Sequence, residues 1–209
     1  YINENEDFDF VIVMDGDGED RPQELGDLLC KSYENTDKVI TADRVKRSEG
    51  LFFKFCYLVH KYLTFIFTGQ SIKFGNYSCL PKFAVNMMAQ QASTWSSFSG
   101  SLAKTIKNRT SVSSIRGERY FGPSKMSFIS LLKHSLSIMA VFKTTLLIRS
   151  TIFLIAYLFL VIGKISVITL IPVIAVIIMM FLVITLSKRE NKSEFDKSLE
   201  NINSIDKIK

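Results

Sequence analysis

The stretch Phe8-Asp-Phe-Val-Ile-Val-Met14-Asp15-Gly-Asp17-Gly-Glu19-Asp20-Arg-Pro22 decides how the rest of the chain is read. Phe8 to Met14 is short, apolar and bounded by polar residues, the pattern of a buried strand. At its carboxyl end four carboxylates fall within six residues, and carboxylates so crowded repel one another unless a cation neutralises them. Their hard oxygens suit Mg²⁺ or Mn²⁺. Mg²⁺ commonly takes one or two carboxylates and draws its other ligands from phosphate and water, which fits a nucleotide-diphosphate site. An EF-hand loop is excluded, because its sixth position is Asp20 where Gly is needed and its twelfth is Gly26 where Glu is needed. A solvated acidic turn without a ligand is the plain alternative.

Working outward, Pro22 is placed to start a helix whose apolar stripe is Leu25, Leu28, Leu29 and Tyr33. Lys38 to Ala42 is a second strand. Strand, loop, helix and strand make a βαβ unit, in which ligands sit at the carboxyl ends of the strands. The chain opens on Tyr1 and enters the first strand almost at once. We therefore expect a fragment whose upstream half is absent. Extended segments are predicted at 72–77 and 111–115, and helices from near Pro81, over 94–107 and over 126–142.

Charge is sorted along the chain. Residues 1–43 hold 13 Asp/Glu and 3 Lys/Arg, residues 44–125 hold 2 and 13, and residues 126–209 hold 5 and 10. An acidic block feeding a basic one points to an anionic partner. The hydrophobic C-terminal part favours a phosphorylated lipid or a diphosphate over nucleic acid. Cys30, Cys56 and Cys79 lack metal-ligand spacing and suit reduced cytosolic thiols rather than a disulfide framework.

Leu51 to Phe67 is nearly all apolar, but Lys54, His60 and Lys61 interrupt it. Lys54, Tyr57, Leu58 and Lys61 share one helical face, so an amphipathic helix is expected, at a membrane interface or packed on the sheet. From Ser150 to Leu186 the only charge is Lys164. A helix over those residues would be about 55 Å long, too long for one crossing of a ~30 Å hydrocarbon core. Gly163-Lys164 divides it into a two-helix hairpin with Pro172 as a kink. Its first helix starts near Thr144, so Arg149 lies about one turn inside, placed to snorkel. Lys143, Arg149, Lys188, Arg189 and Lys192 flank the hairpin, which puts both ends and the globular part in the cytoplasm. A buried hairpin of a soluble protein is the alternative. The expected layout is a catalytic part at 1–125, a juxtamembrane amphipathic helix at 126–143, two transmembrane helices at 144–186 and a polar cytoplasmic tail at 187–209.

One resemblance gives these features a common meaning. Val13-Met-Asp15-Gly-Asp17-Gly-Glu19-Asp20-Arg-Pro22-Gln-Glu24-Leu resembles the D-x-D-x-Q-D-P-P-E segment of the dolichol-phosphate mannosyltransferase branch of family 2 glycosyltransferases, which bacterial polyprenyl-phosphate glycosyltransferases share. It implies an α/β chain: a partial GT-A (Rossmann-like) domain, an amphipathic helix and a two-helix transmembrane hairpin. It also implies that Asp15 and Asp17 hold the metal and donor diphosphate and that Asp20 belongs to the same site. Glu19 stands where the family usually has Gln, also near the metal. Asp43-Arg44-Val-Lys-Arg47-Ser-Glu-Gly50 resembles the family's R-x-x-R-x-G segment. Arg119-Tyr-Phe-Gly122-Pro-Ser124-Lys125-Met resembles its phosphate-contacting R-x-x-G-x-S-K-Y/M loop. Phe74-Gly-Asn76-Tyr-Ser78 sits where relatives have G-D-F-R or G-S-F-R, but lacks the Arg, so that role is not carried over.

The residues bear independently on the acceptor. A sugar hydroxyl needs a general base, usually Asp or Glu, yet none occurs from Leu51 to Gly117, where His60 is the only conventional base. A phosphate acceptor is already anionic and needs cations instead. The expectation is a single inverting displacement of a hexose-type sugar from a nucleotide-sugar donor onto polyprenyl phosphate at the cytoplasmic membrane. Asp15, Asp17, Arg47 and Lys125 would be catalytic, and Asp20, Arg44, Arg119 and Ser124 would bind substrate. Asp15, Asp17 and Glu19 would hold Mg²⁺ or Mn²⁺. For Arg47 and Lys125 the plain alternative is an exposed surface cation. A saccharide-hydroxyl acceptor and a non-catalytic membrane-docked module stay open, as does a homo-oligomer; nucleic acid is not an expected partner. This fragment alone is expected to be inactive.

Overall fold

The computed structural model describes residues 1–46, 51–120, 122, 127–197, 200 and 202. Its elements in chain order are α1 (Ile2–Asn5), β1 (Phe10–Val13), a 3₁₀ turn (Pro22–Glu24), α2 (Leu25–Glu34), β2 (Val39–Lys46), α3 (Leu51–Thr68), β3 (Phe74–Pro81), α4 (Lys82–Ala89), α5 (Ser93–Ser96), α6 (Phe98–Thr105), β4 (Arg109–Ile115), α7 (Phe128–Ala140), α8 (Lys143–Val161), α9 (Val167–Ser187) and α10 (Lys192–Asp196).

The mixed sheet has the order β1-β3-β2-β4. β3 runs antiparallel to both β1 and β2, pairing Cys79 with Ile12 on one side and with Ile40 on the other. β2 and β4 are parallel, from Val39 opposite Arg109 to Lys46 opposite Ile115. The predicted βαβ unit is therefore parallel but not adjacent, because β3 is inserted between its strands. Local sequence could not reveal this, since β3 pairs with residues more than sixty positions away in β1 and more than thirty away in β2. β1, β2 and β4 all end on the same side, and β3 begins there. The sheet is covered on both faces, as the alternation of Val39 and Ile40 requires. Val39 and Leu80 pack with Ala84, Met88, Leu102 and Ile106 of the α4–α6 side, while Ile40, Ala42, Tyr77 and Cys79 pack with Leu28 of α2.

The predicted helix over 94–107 is broken in two at Ser97. Its backbone is extended, and its hydroxyl accepts from Gly100 N–H to cap α6. Ile72 and Phe74 pack with Ala103, Val141 and Phe142, a seam that joins the sheet to the α7–α8 junction.

α8 and α9 are long and apolar enough to cross a membrane, at mean hydropathies of 2.0 and 3.2. At 1.5 Å per residue they measure about 28 and 32 Å. Only 11% of each apolar window is buried inside the protein. The turn between them lies at the predicted Gly163-Lys164, and a capping box between Ser166 and Thr169 starts α9, with Pro172 inside it. At the other end Lys143 Nζ lies 3.9 Å from Glu190, closing the hairpin.

α3 does not pack on the sheet, one of the two placements expected for it. Its chief partners are α8 and α7 rather than the sheet. From Leu58 onward Thr64, Phe67 and Thr68 are buried, with His60 half-buried against Thr64, whereas Lys61 is exposed together with Leu58, Val59, Tyr62, Leu63, Phe65 and Ile66. The side chains of Lys54 and Tyr57 lie outside the described residues. Arg149 does not snorkel along α8. Its Nη1 donates to the carbonyls of Phe65 (3.4 Å) and Ile66 (3.1 Å), where the end of the α3 dipole favours a cation. Gly69, at φ +73°, makes room, since a Cβ there would lie 2.9 Å from Arg149 Nη2.

Candidate active site

The acidic loop leaves β1 at Asp15, and Asp20 folds it back: its Oδ2 accepts from Asp15 N–H at 2.8 Å. Asp17 Oδ1 accepts from Glu19 N–H at 3.0 Å, an Asx turn that tightens the middle of the loop. Gly18 sits at φ +94°, a region open to glycine, with Glu118 O and the Tyr120 ring where a Cβ would point.

A second loop, 116–120, leaves the end of β4 and lies against the first. Gly117 N–H donates to Glu19 O (2.8 Å) and Tyr120 N–H to Asp17 O (2.9 Å). The side chains extend this pairing. Arg119 Nε donates to Glu19 Oε1 at 2.8 Å, and its Nη2 lies 3.2 Å from Asp17 Oδ2. Arg116 engages Glu19 Oε2. Hydrogen bonding to Glu19 is the main reason that the Arg119 guanidinium holds its proton more tightly than usual, with the field of Glu19, Asp17 and Asp15 adding to it.

Arg44, near the end of β2, places Nη2 3.5 Å from Asp20 Oδ1 and lies over Gly75. Asp20 is almost fully buried, and desolvation raises its pKa against the pull of its hydrogen bond from Asp15 and of Arg44. From β3, Asn76 Nδ2 donates to Asp15 Oδ1 at 3.1 Å.

The structure thus brings together Asp15, Asp17, Glu19, Asp20, Arg44 and Arg119 from β1, β2 and the end of β4. Arg47, Ser124 and Lys125 lie outside the described residues. Four residues escaped the sequence reading. Arg116 lies three residues before the quoted Arg119 loop, outside the motif. Asn76 replaces a motif position whose usual role needs an Arg. Glu24 stands inside the quoted acidic motif and proves to be a brace: Ser114 Oγ donates to its Oε2 (2.6 Å) and Ile115 N–H to its Oε1 (2.9 Å), fixing the end of β4 from which the second loop departs. His134, on α7, lies within electrostatic reach of Asp15 and Arg44. Desolvation lowers its pKa, although the residue keeps an exposed side, and Asp15 opposes that shift.

No protein-family model matches the chain, and no curated protein matches it.

The chemistry of this oxygen set suits a hard divalent cation, but its arrangement does not present a ready cage. Both Glu19 oxygens go to arginine, Asp17 divides its oxygens between an amide and Arg119, and Asp20 divides its own between an amide and Arg44. Among the described residues no three His, Cys, Asp or Glu converge closely enough to hold a metal ion. The site is a nearly charge-balanced array, with carboxylates on one loop and guanidiniums on the other.

Proposed function

We propose that the protein is a membrane-anchored inverting glycosyltransferase that moves a hexose-type sugar from a nucleotide-diphosphate donor onto a polyprenyl phosphate at the cytoplasmic membrane face. The observation that carries this reading is the apposition of the 15–20 carboxylates and the 116–119 arginines, in a chain with two helices apolar enough to span a bilayer. The absence of Asp and Glu from Leu51 to Gly117 supports an acceptor that needs cations rather than a base. Burial of the Thr64 and Thr68 hydroxyls and exposure of Phe65 and Ile66 support contact of α3 with lipid.

In this reading Asp15, Asp17 and Glu19, which form no ready cage in this structure, would have to rearrange to hold Mg²⁺ or Mn²⁺, whose chemistry would be to stabilise the departing nucleoside diphosphate. Asn76 fixes the rotamer of Asp15. Arg44 balances the buried Asp20 charge, and Asp20 sets the loop through its bond to Asp15 N–H. Arg119, with Arg47, Lys125 and Ser124 of the quoted motifs, holds phosphate oxygens and offsets the repulsion between donor and acceptor. The 3.9 Å approach of Lys143 to Glu190 brings the two ends of the hairpin together, which supports both lying on one side of the membrane.

The experiment is transfer from labelled nucleotide sugars to polyprenyl phosphate, using the full-length protein in membranes. Asp17→Ala should abolish the labelled lipid product, and near-normal turnover of that variant would refute the assignment. A second reading, transfer to a saccharide hydroxyl, has one observation in its favour: His134 lies within electrostatic reach of Asp15 and is a candidate to take a hydroxyl proton. On that reading His134→Asn loses about 10²–10⁴-fold in rate with a soluble sugar acceptor. On the phosphate reading it retains transfer to the lipid.

A further inference from the structure

Arg149 and the end of α3 are each ill suited to an apolar setting on their own. Arg149 is the only charge between Lys143 and Lys164. α3 ends at Thr68, and the last carbonyls of a helix have no partner within it. Hydrocarbon tolerates neither an isolated guanidinium nor an unpaired carbonyl. The fold puts the two together: Arg149 Nη1 donates to the carbonyls of Phe65 (3.4 Å) and Ile66 (3.1 Å). The other polar groups at this end are paired from within the segment. Thr68 Oγ1 donates to Thr64 O at 2.6 Å, Gly69 N–H to Phe65 O at 2.8 Å, and Gln70 N–H to Thr68 Oγ1 at 3.2 Å. A helix end standing in water needs no such sealing, because water pairs its carbonyls.

The depth of this end follows from α8. Arg149 lies six residues beyond Lys143 and Phe153 ten, about 9 and 15 Å along the helix. Phe67, next to last in α3, meets Phe153 edge to face, with ring centroids 5.9 Å apart. The end of α3 therefore stands beside the first half of α8. After Gly69, at φ +73°, the chain turns back, and Ile72 packs on the cluster of Val141 and Phe142 just before α8 begins. The exposed face of α3 from residue 58 is apolar, formed by Leu58, Val59, Tyr62, Leu63, Phe65 and Ile66. It adjoins Ile152 and Phe153, exposed one turn beyond Arg149. Lys61 is the only Asp, Glu, Lys or Arg in 58–69, and it lies one turn before Phe65, where its stem carries the ammonium toward the headgroups. On the reading that α8 and α9 cross the bilayer, we propose that α3 is a re-entrant element: its C-terminal half enters the hydrocarbon beside α8, Arg149 seals its carbonyls there, and lipid acyl chains cover the face at 58–66. Since α3 joins β2 to β3, the strands that carry Arg44 and Asn76, its insertion holds the candidate site at a set height over the membrane.

The test is tryptophan quenching by phosphatidylcholines brominated at a shallow or a deep acyl position, with the full-length protein in vesicles. The single tryptophan is first removed by Trp95→Phe, and one new tryptophan is then introduced at a time. Ile174→Trp, within α9, reports whether the hairpin spans, and Ile148→Trp, beside Arg149, marks the depth of that level. Residues 58, 66, 148 and 174 are all about half exposed, so a tryptophan is accommodated. Ile66→Trp should be quenched by the same lipid and as strongly as Ile148→Trp. It should also lie deeper than Leu58→Trp, which is about 12 Å earlier along the helix. Adding Arg149→Leu should shift Ile66→Trp toward the shallow quencher while Ile174→Trp keeps its deep quenching. Unquenched Ile66→Trp beside quenched Ile174→Trp overturns the insertion, with protein or water covering that face. Equal, shallow quenching of Ile66→Trp and Leu58→Trp overturns it in favour of a helix lying flat at the interface. A depth of Ile66→Trp that Arg149→Leu leaves unchanged overturns the sealing role of Arg149. Failure of the lipids to quench Ile174→Trp overturns the spanning hairpin itself.

Discussion

Glu24 touches no substrate in any reading of this site, yet its removal should be among the most damaging single changes to the acidic–basic loop pair. Its side chain is 13% exposed and accepts from the Ser114 hydroxyl at 2.6 Å and from Ile115 N–H at 2.9 Å. Ser114 is 4% exposed, so Glu24→Ala leaves a buried hydroxyl without its charged acceptor, which costs about 2–3 kcal/mol. Ile115 is 43% exposed, and water replaces much of its lost bond, so that contribution stays below about 1 kcal/mol. The Arg21 pair, at a long 3.7 Å with the Arg21 side chain 37% exposed, adds little. The sum, about 3 kcal/mol, corresponds to a melting temperature lower by about 6–12 °C in a chain of this size. Scanning fluorimetry of the intact detergent-solubilised protein, following its single tryptophan Trp95, reads that shift. Glu34→Ala is the control: its partner Lys31 lies 2.9 Å away, but Glu34 is 63% exposed, so the change should fall within about 0.5 kcal/mol. Because β4 leads directly into Arg116 and Arg119, Glu24→Ala should also speed tryptic cleavage after those arginines. Melting temperatures of Glu24→Ala and Glu34→Ala within about 2 °C of each other would refute the bracing role.

Two further outcomes follow from single contacts. Gly69→Ala places a Cβ on a residue at φ +73° and 2.9 Å from Arg149 Nη2; it should cost about 1–2 kcal/mol and release Arg149 from the α3 carbonyls, seen as a lower melting temperature that Arg149→Ala does not lower further. Tyr77, 1% exposed and donating to Arg21 O, has its pKa pushed up to about 12 by burial first and then by the Glu24 and Asp20 charges. Since the folded state favours the neutral phenol, its contribution is complete below pH 10 and is lost as pH rises through about 12; phenolate absorbance should show one of the seven tyrosines titrating last, and Tyr77→Phe should remove that step.

Much of the molecule is legible in order of appearance. The Phe8–Met14 run, the helix after Pro22 and the strand at Val39 carry their own periodicity. The apolar stretch divided by Gly163-Lys164 sets the two long helices to within a few residues. These are local signals, each written within one turn or one strand. What local sequence lacked was pairing. Nothing near residues 74–81 says that β3 lies between β1 and β2, because Cys79 meets Ile12 and Ile40 only after the chain has folded back. The helix over 94–107 was read too long because Ser97 acts as a cap, and a serine in a serine-rich run gives little notice of that.

The sequence alone therefore determined where charge and apolar surface are concentrated: an acidic turn at a strand end, a basic middle and a hydrophobic hairpin. Tertiary structure decided which charge meets which. It placed Arg116 and Arg119, about 100 residues from the acidic turn, onto Asp17 and Glu19, set Asn76 on Asp15 and turned the hydroxyls of α3 inward. The physical reason is range. Strand and helix preferences act over a few residues, whereas an ion pair or a hydrogen bond acts over a few ångströms, and only the folded backbone converts one distance into the other.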